Sequence, residues 1–271
     1  MLTTAHNDLS WTAQTWSPIW FYNHVPGLGS GADAVFCAIP KNGCKSFKRV
    51  FMRATGDAIG LDEFRPGMHV QVAERWSMSN IPKPERAAIL DSARTIVFLR
   101  DPALRIASAY ADKVARVPDR ADNASMYADV WAHENLPGAP TAERGISFSE
   151  FVRYLARTAC DAMDPHWKPQ ACYTAGRTFG FVGDVSHMAR DLNRMQDWLG
   201  IDVGRMPERP QVARAAGTPG EHADTPAGEL LRAGVLPGAE SLYTLELTCL
   251  IEARYSEDRE LFERLVPARA A

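Results

Sequence analysis

The sequence has no long hydrophobic run. No stretch approaches the roughly 18–20 uninterrupted apolar residues of a membrane-spanning helix, and the N-terminus, with His6 and Asp8, lacks a secretory-signal pattern. The expectation is a cytoplasmic protein with no membrane span. Strong charge of either sign is also missing. A formal net charge of −3 over 271 residues argues against nucleic acid or membrane surfaces as partners, so basic residues matter only where they cluster. Cysteine is scarce: Cys37, Cys44, Cys160, Cys172 and Cys249 are odd in number and form no C-x-x-C pair. That pattern indicates neither a disulfide framework nor a zinc site, and no metal is expected. No internal repeat is visible. What remains is an ordinary globular composition, 46% hydrophobic and 23% charged, long enough for a substantial core in a single domain over 1–271.

Residues 34–53, AVFCAIPKNGCKSFKRVFMR, hold the densest basic cluster. Residues 34–39 form a short apolar run of strand character, which Pro40 ends because it has no N–H to give a ladder. Helix follows almost at once, with Phe47, Val50, Phe51 and Ala54 at the spacing of a core-facing stripe and Lys45, Lys48 and Arg49 off it. Between strand and helix lies Pro40-Lys41-Asn42-Gly43-Cys44-Lys45-Ser46. There Gly43 can take a positive φ and let backbone N–H groups converge on an anion at the helix start. Lys41 and Lys45 add charge. Cys44 reads as a small loop residue, since no His/Asp pair is placed to make it a nucleophile.

A second strand, 95–99, ends in Arg100-Asp101-Pro102-Ala-Leu-Arg105-Ile-Ala-Ser108-Ala-Tyr110. Asp101 can cap a helix and Pro102 suits its first position. Leu104, Ala107 and Val114 are expected on the core, with Arg105 and Ser108 on another face. Two strands that each deliver basic and hydroxyl residues to a helix start predict an α/β fold with one ligand crevice at the strand ends. Elsewhere, 1–33 with Trp11, Trp16, Trp20, Phe21 and Tyr22 reads as an irregular aromatic segment laid over the core. Residues 68–72 alternate like a short strand. Ser147 and Glu150 fit a capping box, 179–182 read as a strand, Ser186 caps a helix ended by Gly200, and 241–254 read as a helix. Residues 203–240, rich in Pro, Gly and Ala, read as a long loop or lid.

The pair of motifs in 40–50 and 100–110 resembles the two cofactor motifs of sulfotransferases that use 3′-phosphoadenosine-5′-phosphosulfate (PAPS). Within them the sequence is similar to the carbohydrate branch that includes the chondroitin 4-O-sulfotransferases. Asp164-Pro-His166-Trp167-Lys-Pro169-Gln170, Phe179-Gly-Phe-Val182-Gly183 and Tyr255-x-x-Asp258-x-x-x-Phe262 fit the same branch, in family order over roughly 34–265. The resemblance implies a P-loop-like three-layer fold with a central, mainly parallel sheet flanked by helices. It implies that Lys41, Asn42, Gly43, Cys44, Lys45 and Ser46 grip the 5′-phosphosulfate, that Arg100 and Ser108 bind the 3′-phosphate, and that no metal is required. The acceptor is a hydroxyl-bearing sugar, glycolipid or small metabolite. A lysine at the leaving oxygen, Lys41, stabilises charge that develops in the transition state. His69, between the two motifs, is the expected base, with Glu74 as rival and Asp112 and His166 as outsiders. Asn42-Gly43 and Phe47 depart from the commoner eukaryotic pattern, whose enzymes are Golgi-anchored and disulfide-bearing. A soluble, bacterial-type member is therefore expected.

Two other readings stand beside this one. A P-loop kinase or NTPase would need G-x-x-x-x-G-K-[ST], but the position five before Gly43 is Ala38. A silent nucleotide-binding scaffold on the same fold would bind the nucleotide without transfer.

Overall fold

The computed structural model describes residues 17–29, 31–60, 67–117, 123–206 and 217–266. Trp11, Trp16 and the stretch 207–216 of the expected lid lie outside them. The strands are β1 (Tyr22–Leu28), β2 (Ala32–Cys37), β3 (Arg94–Leu99) and β4 (Phe181–Asp184). They form one sheet in the order β1-β2-β3-β4, with β1 antiparallel to β2 and the other two pairings parallel. The helices up to β4 are α1 (Cys44–Ala54), α2 (Met68–Trp76), α3 (Lys83–Ser92), α4 (Pro102–Tyr110), α5 (Ala124–His133), α6 (Phe148–Arg157) and α7 (Gln170–Thr174). After it come α8 (Met188–Leu199), α9 (Ala227–Arg232), α10 (Ala239–Leu242), α11 (Leu245–Arg254) and α12 (Ser256–Leu265).

Strand alternation sorts the core into layers. Ala34, Phe36, Ile96, Phe98 and Phe181 face one way, against α1, α2 and α8 through Phe47, Phe51, Val72 and Leu192. Val35, Cys37, Val97 and Leu99 face the other way, against Leu90 of α3, Tyr173 of α7 and Leu261 of α12. The fold is thus α/β, a mainly parallel sheet with helices on both faces. A third cluster, mainly helical, joins α4, α5, α6, α9, α10 and α11 around Tyr110, Phe148, Phe151, Leu230, Leu247 and Tyr255. Its seam includes the capping box at Ser147 and Glu150, which forms as expected.

Several expectations are corrected. Residues 68–72 belong to helix α2, because the buried set is Met68, Val72 and Trp76, a spacing of four that turns one helical face inward. Residues 22–28 are strand despite Pro26, which an edge strand tolerates. Within 217–240, part of the stretch read as a loop or lid, loop segments flank helix α9. Ala223, Ala227 and Leu230 are buried in the helical cluster, and the Ala223 carbonyl accepts from the Ser149 N–H (2.9 Å) and hydroxyl (3.0 Å). The helix at 241–254 is two, α10 and α11, with Thr244 capping the second. Before α8 it is Asp184, not Ser186, whose side chain caps, accepting from the Ser186 N–H at 2.8 Å. Leu104 is 40% exposed while Arg105 is fully buried, because three backbone carbonyls draw Arg105 inward.

Candidate functional site

Between β2 and α1 the chain makes two left-handed steps, Lys41 (φ 68°) and Gly43 (φ 72°). For lysine that conformation costs on the order of 1–2 kcal/mol, so the surroundings must hold it. Asn42, between them, is the holder. Fully buried, its side-chain amide donates to the Phe98 carbonyl (2.8 Å) and to Gln170 Oε1 (2.6 Å). Gln170 Oε1 also accepts from the Arg100 N–H (3.1 Å), and its Nε2 donates to the Arg100 carbonyl (2.9 Å). The N–H groups of Gln170 and Ala171 donate to the two oxygens of Asp258, each at 2.8 Å. Burial pushes that carboxyl up, while Arg105 and the two N–H bonds oppose the shift. Arg105 completes the layer by donating to the carbonyls of Pro40 (3.1 Å), Lys168 (2.8 Å) and Pro165 (3.4 Å). The ends of β2 and β3 are thereby locked in register with α7 and α12.

Gly43 leads into α1, whose first turn has no side-chain cap and no acidic residue. A Cβ on Gly43 would lie 2.0 Å from Met188 Cε, the mobile end of that side chain, so it is the left-handed φ of 72° rather than lack of room that favours glycine here. An uncapped helix start with Lys41, Lys45, Lys48, Arg49 and Arg100 around it suits an anionic group. Lys45 is exposed, Cys44 and Ser46 are half-buried and Ser108 is buried in α4. Arg49 is buried and donates to Ser46 Oγ (3.2 Å) and to the Lys45 carbonyl (3.1 Å). Arg100 reaches back to the Lys41 carbonyl at 3.2 Å.

Above the loop stands a titratable layer. Lys41 Nζ lies 2.9 Å from Asp112 Oδ2, on a π-helical turn (Ala111–Ala115) that continues α4, a geometry frequent at functional sites. Burial lowers the Lys41 ammonium's pKa and Asp112 opposes the shift. Burial works against the Asp112 carboxylate, yet Lys41, Lys113 and Arg116 hold it well below the usual range. On the α2 wall, Lys48 Nζ is 2.9 Å from His69 Nδ1. Burial in the cleft, then the charges of Lys48, Lys45 and Lys113, push His69 down to about 3. At pH 7 the imidazole is therefore neutral. In the segment that Arg105 ties to the loop, His166 Nδ1 is 2.7 Å from Asp164 Oδ1, which also accepts from the His166 N–H at 2.7 Å. Burial lowers the His166 pKa; Asp164 opposes, and Lys113 and Lys41 add to the lowering.

The structure therefore gathers Lys41, Asn42, Gly43, Cys44, Lys45, Ser46 and Arg100 at one sheet edge, with His69 beside Lys48. Glu74 is exposed and, five residues on, lies about 140° round α2 from His69. Sequence reasoning missed Lys48, which it placed only off the apolar stripe, and the buried roles of Arg105, Gln170 and Asp258. Gln170 and Asp258 stood in recognised motifs but had no assigned role. Among the described residues no group of three or more His, Cys, Asp or Glu side chains could hold a metal, and no helix is long and apolar enough to cross a membrane.

A family model described as "Sulfotransferase family" matches residues 32–263. Carbohydrate sulfotransferase 14 of Mus musculus is 25% identical over 172 residues, 61% of this chain and 44% of that protein. Carbohydrate sulfotransferase 9 of Homo sapiens is 27% identical over 182 residues (61% and 39%), and carbohydrate sulfotransferase 8 of Homo sapiens 28% over 168 residues (59% and 39%). The chain thus spans less than half the length of these relatives. No solved structure gives a significant match.

Proposed function

The chain belongs to the sulfotransferase family, and from that premise we propose that it moves a sulfuryl group from PAPS to a hydroxyl of a carbohydrate or glycoconjugate. The observation that carries the reading is the double anion edge. Lys41 and the uncapped start of α1 stand at the end of β2, Arg100 stands at the end of the adjacent parallel β3, and Asn42 and Gln170 tie the two together. A donor with two separated anionic groups needs such a pair of sites in a protein of near-zero net charge. In this reading the loop 41–46 holds the phosphosulfate, Arg100 and Ser108 hold the 3′-phosphate, and Lys41 meets the charge that develops on the leaving oxygen. The likeness to carbohydrate sulfotransferases supports a sugar acceptor.

The test is a thermal shift with adenosine 3′,5′-bisphosphate. Ligand at 100 times Kd stabilises a folded protein by about 2.7 kcal/mol, so the wild type should melt measurably higher. Lys41→Ala and Arg100→Ala should lose most of that gain. No shift in the wild type at saturating ligand would end the PAPS reading. Transfer of radiolabelled sulfate from PAPS to a panel of sugars, glycolipids and phenols identifies the acceptor, whereas magnesium-dependent ATP turnover would favour a kinase. The acceptor hydroxyl also needs a base near Lys41, the role to which the sequence nominates His69; His166 is a second candidate, and their different partners separate them.

A further inference from the structure

A histidine ring presents one acceptor and one donor nitrogen when neutral, and the partner of one nitrogen fixes the character of the other. The cleft holds two histidines with opposite partners. His69 Nδ1 faces the Lys48 ammonium, which only donates, so Nδ1 must accept and the neutral ring carries its proton on Nε2. His166 Nδ1 faces the Asp164 carboxylate, which only accepts, so Nδ1 carries the proton and the lone pair sits on Nε2. His69 is therefore set as a hydrogen-bond donor and His166 as a proton acceptor.

Position agrees with chemistry. The buried Arg105 guanidinium binds the carbonyls of Pro40 and Pro165 together. These are the residues immediately before Lys41 and His166, so one side chain pins the second histidine's segment to the donor loop. The Lys168 carbonyl, two residues past His166, is held by the same group. The charged and titratable groups acting on the His166 ring are Asp164 from its own segment, Lys41 from the loop and Lys113 from the π-helical turn, with His69 of α2 close enough to feel its charge.

We propose that His166, oriented by Asp164, is the general base that takes the acceptor's proton, and that His69 acts in the same cleft as a donor. This rests on the sulfotransferase reading above. When bound, PAPS supplies the sulfuryl group and an oxygen able to leave. The acceptor O–H proton passes to His166 Nε2, the acceptor oxygen forms its bond to sulfur, and the sulfur bond to the leaving phosphate oxygen breaks with its electron pair staying on that oxygen beside Lys41. The imidazolium formed is stabilised by Asp164 and returns its proton to solvent. No oxidant or further reactant is needed. Asp164 is a positioning residue.

The first test needs no donor. Nitrogen-15 shifts of the histidine rings in the ligand-free protein at neutral pH should show His166 protonated at Nδ1 and bare at Nε2, and His69 the reverse. A His166 ring protonated at Nε2 overturns the proposal. The second test uses His166→Asn, which keeps a donor for Asp164. Turnover should fall by roughly 10²–10⁴-fold while the thermal shift with adenosine 3′,5′-bisphosphate stays as in the wild type. Near-normal turnover overturns the base role and leaves the donor site standing, whereas loss of the nucleotide shift in the wild type counts against the sulfotransferase reading itself. Asp164→Asn should lower kcat with little change in KM and move the acid limb of the pH profile downward, since the group opposing the lowering of the His166 pKa is gone. An unmoved profile counts against the dyad.

Discussion

Asn42, Gln170, Arg105 and Asp258 lie beneath the loop at 40–43 and are fully buried, whereas Lys41, Asp112, Lys48, His69 and His166 surround its upper side. The lower layer bonds mostly to backbone: Phe98, Arg100, Pro40, Pro165 and Lys168 through their carbonyls, and Gln170 and Ala171 through their N–H groups. The upper layer bonds side chain to side chain. A buried polar group that loses its partner costs free energy because no water replaces it. A charged pair at the mouth of a cleft can exchange partners at little cost. The lower layer therefore sets geometry and the upper layer is available to a ligand.

That contrast breaks most sharply at Arg105. Arg105→Met strips three buried carbonyls of their donor and removes the charge opposing the rise at Asp258, so stability should fall by about 3–5 kcal/mol in urea denaturation. A loss under about 1 kcal/mol would mean that the lower layer is not structural. Gly43→Ala sits between the layers. Strain at its positive φ should cost about 1–2 kcal/mol of stability, and displacement of the Met188 side chain should weaken adenosine 3′,5′-bisphosphate. Adding Met188→Ala should restore part of that affinity, and failure to do so would assign the loss to backbone strain alone.

Lys48→Met probes the upper layer with a smaller expected effect. With the ammonium gone but burial remaining, His69 should titrate above its present value of about 3 yet short of the ordinary histidine range, readable from ring carbon shifts against pH. The sign for stability follows. Below the unfolded pKa of about 6.5 the unfolded chain takes up a proton that folded His69 refuses, so this group contributes a loss of stability as pH falls from there towards 3. Lys48→Met should narrow that window, and an unchanged His69 titration would show that burial and the remaining charges of Lys45 and Lys113 set it without Lys48. Smallest is Glu74→Gln, on an exposed face of α2. It should change turnover and nucleotide affinity by less than about 0.5 kcal/mol, and a large loss of turnover would return the base role to that side chain.

Much of the donor edge was legible because its signals are local. Pro40 ending an apolar run, Gly43 before an amphipathic stripe, and Asp101-Pro102 at a helix start each follow from one residue's backbone chemistry, and strand, turn and helix fall where expected. Helix α2 was misread because Met68, Val70 and Val72 alternate over too few residues to separate period 2 from period 3.6; Trp76, four past Val72, was the missing signal. Periodicity alone places Lys48 off the apolar stripe and Arg105 on a face shared with Ser108. Nothing local announces the histidine or the carbonyls that draw them in.

The sequence by itself determined the layered α/β class, the two strand-to-helix turns at the ends of β2 and β3, and the family, since each depends on near neighbours or on motif order. Only the tertiary structure decided which polar residues are floor and which are wall. It paired Asn42 with Gln170, Lys48 with His69, and Pro40 with Pro165 through Arg105 across separations of up to 128 residues. The role of a histidine turns on the partner of its other nitrogen. For His69 that partner lies 21 residues back in another helix, and for His166, whose Asp164 is close in sequence, it took the fold to tie its segment to the loop through Arg105.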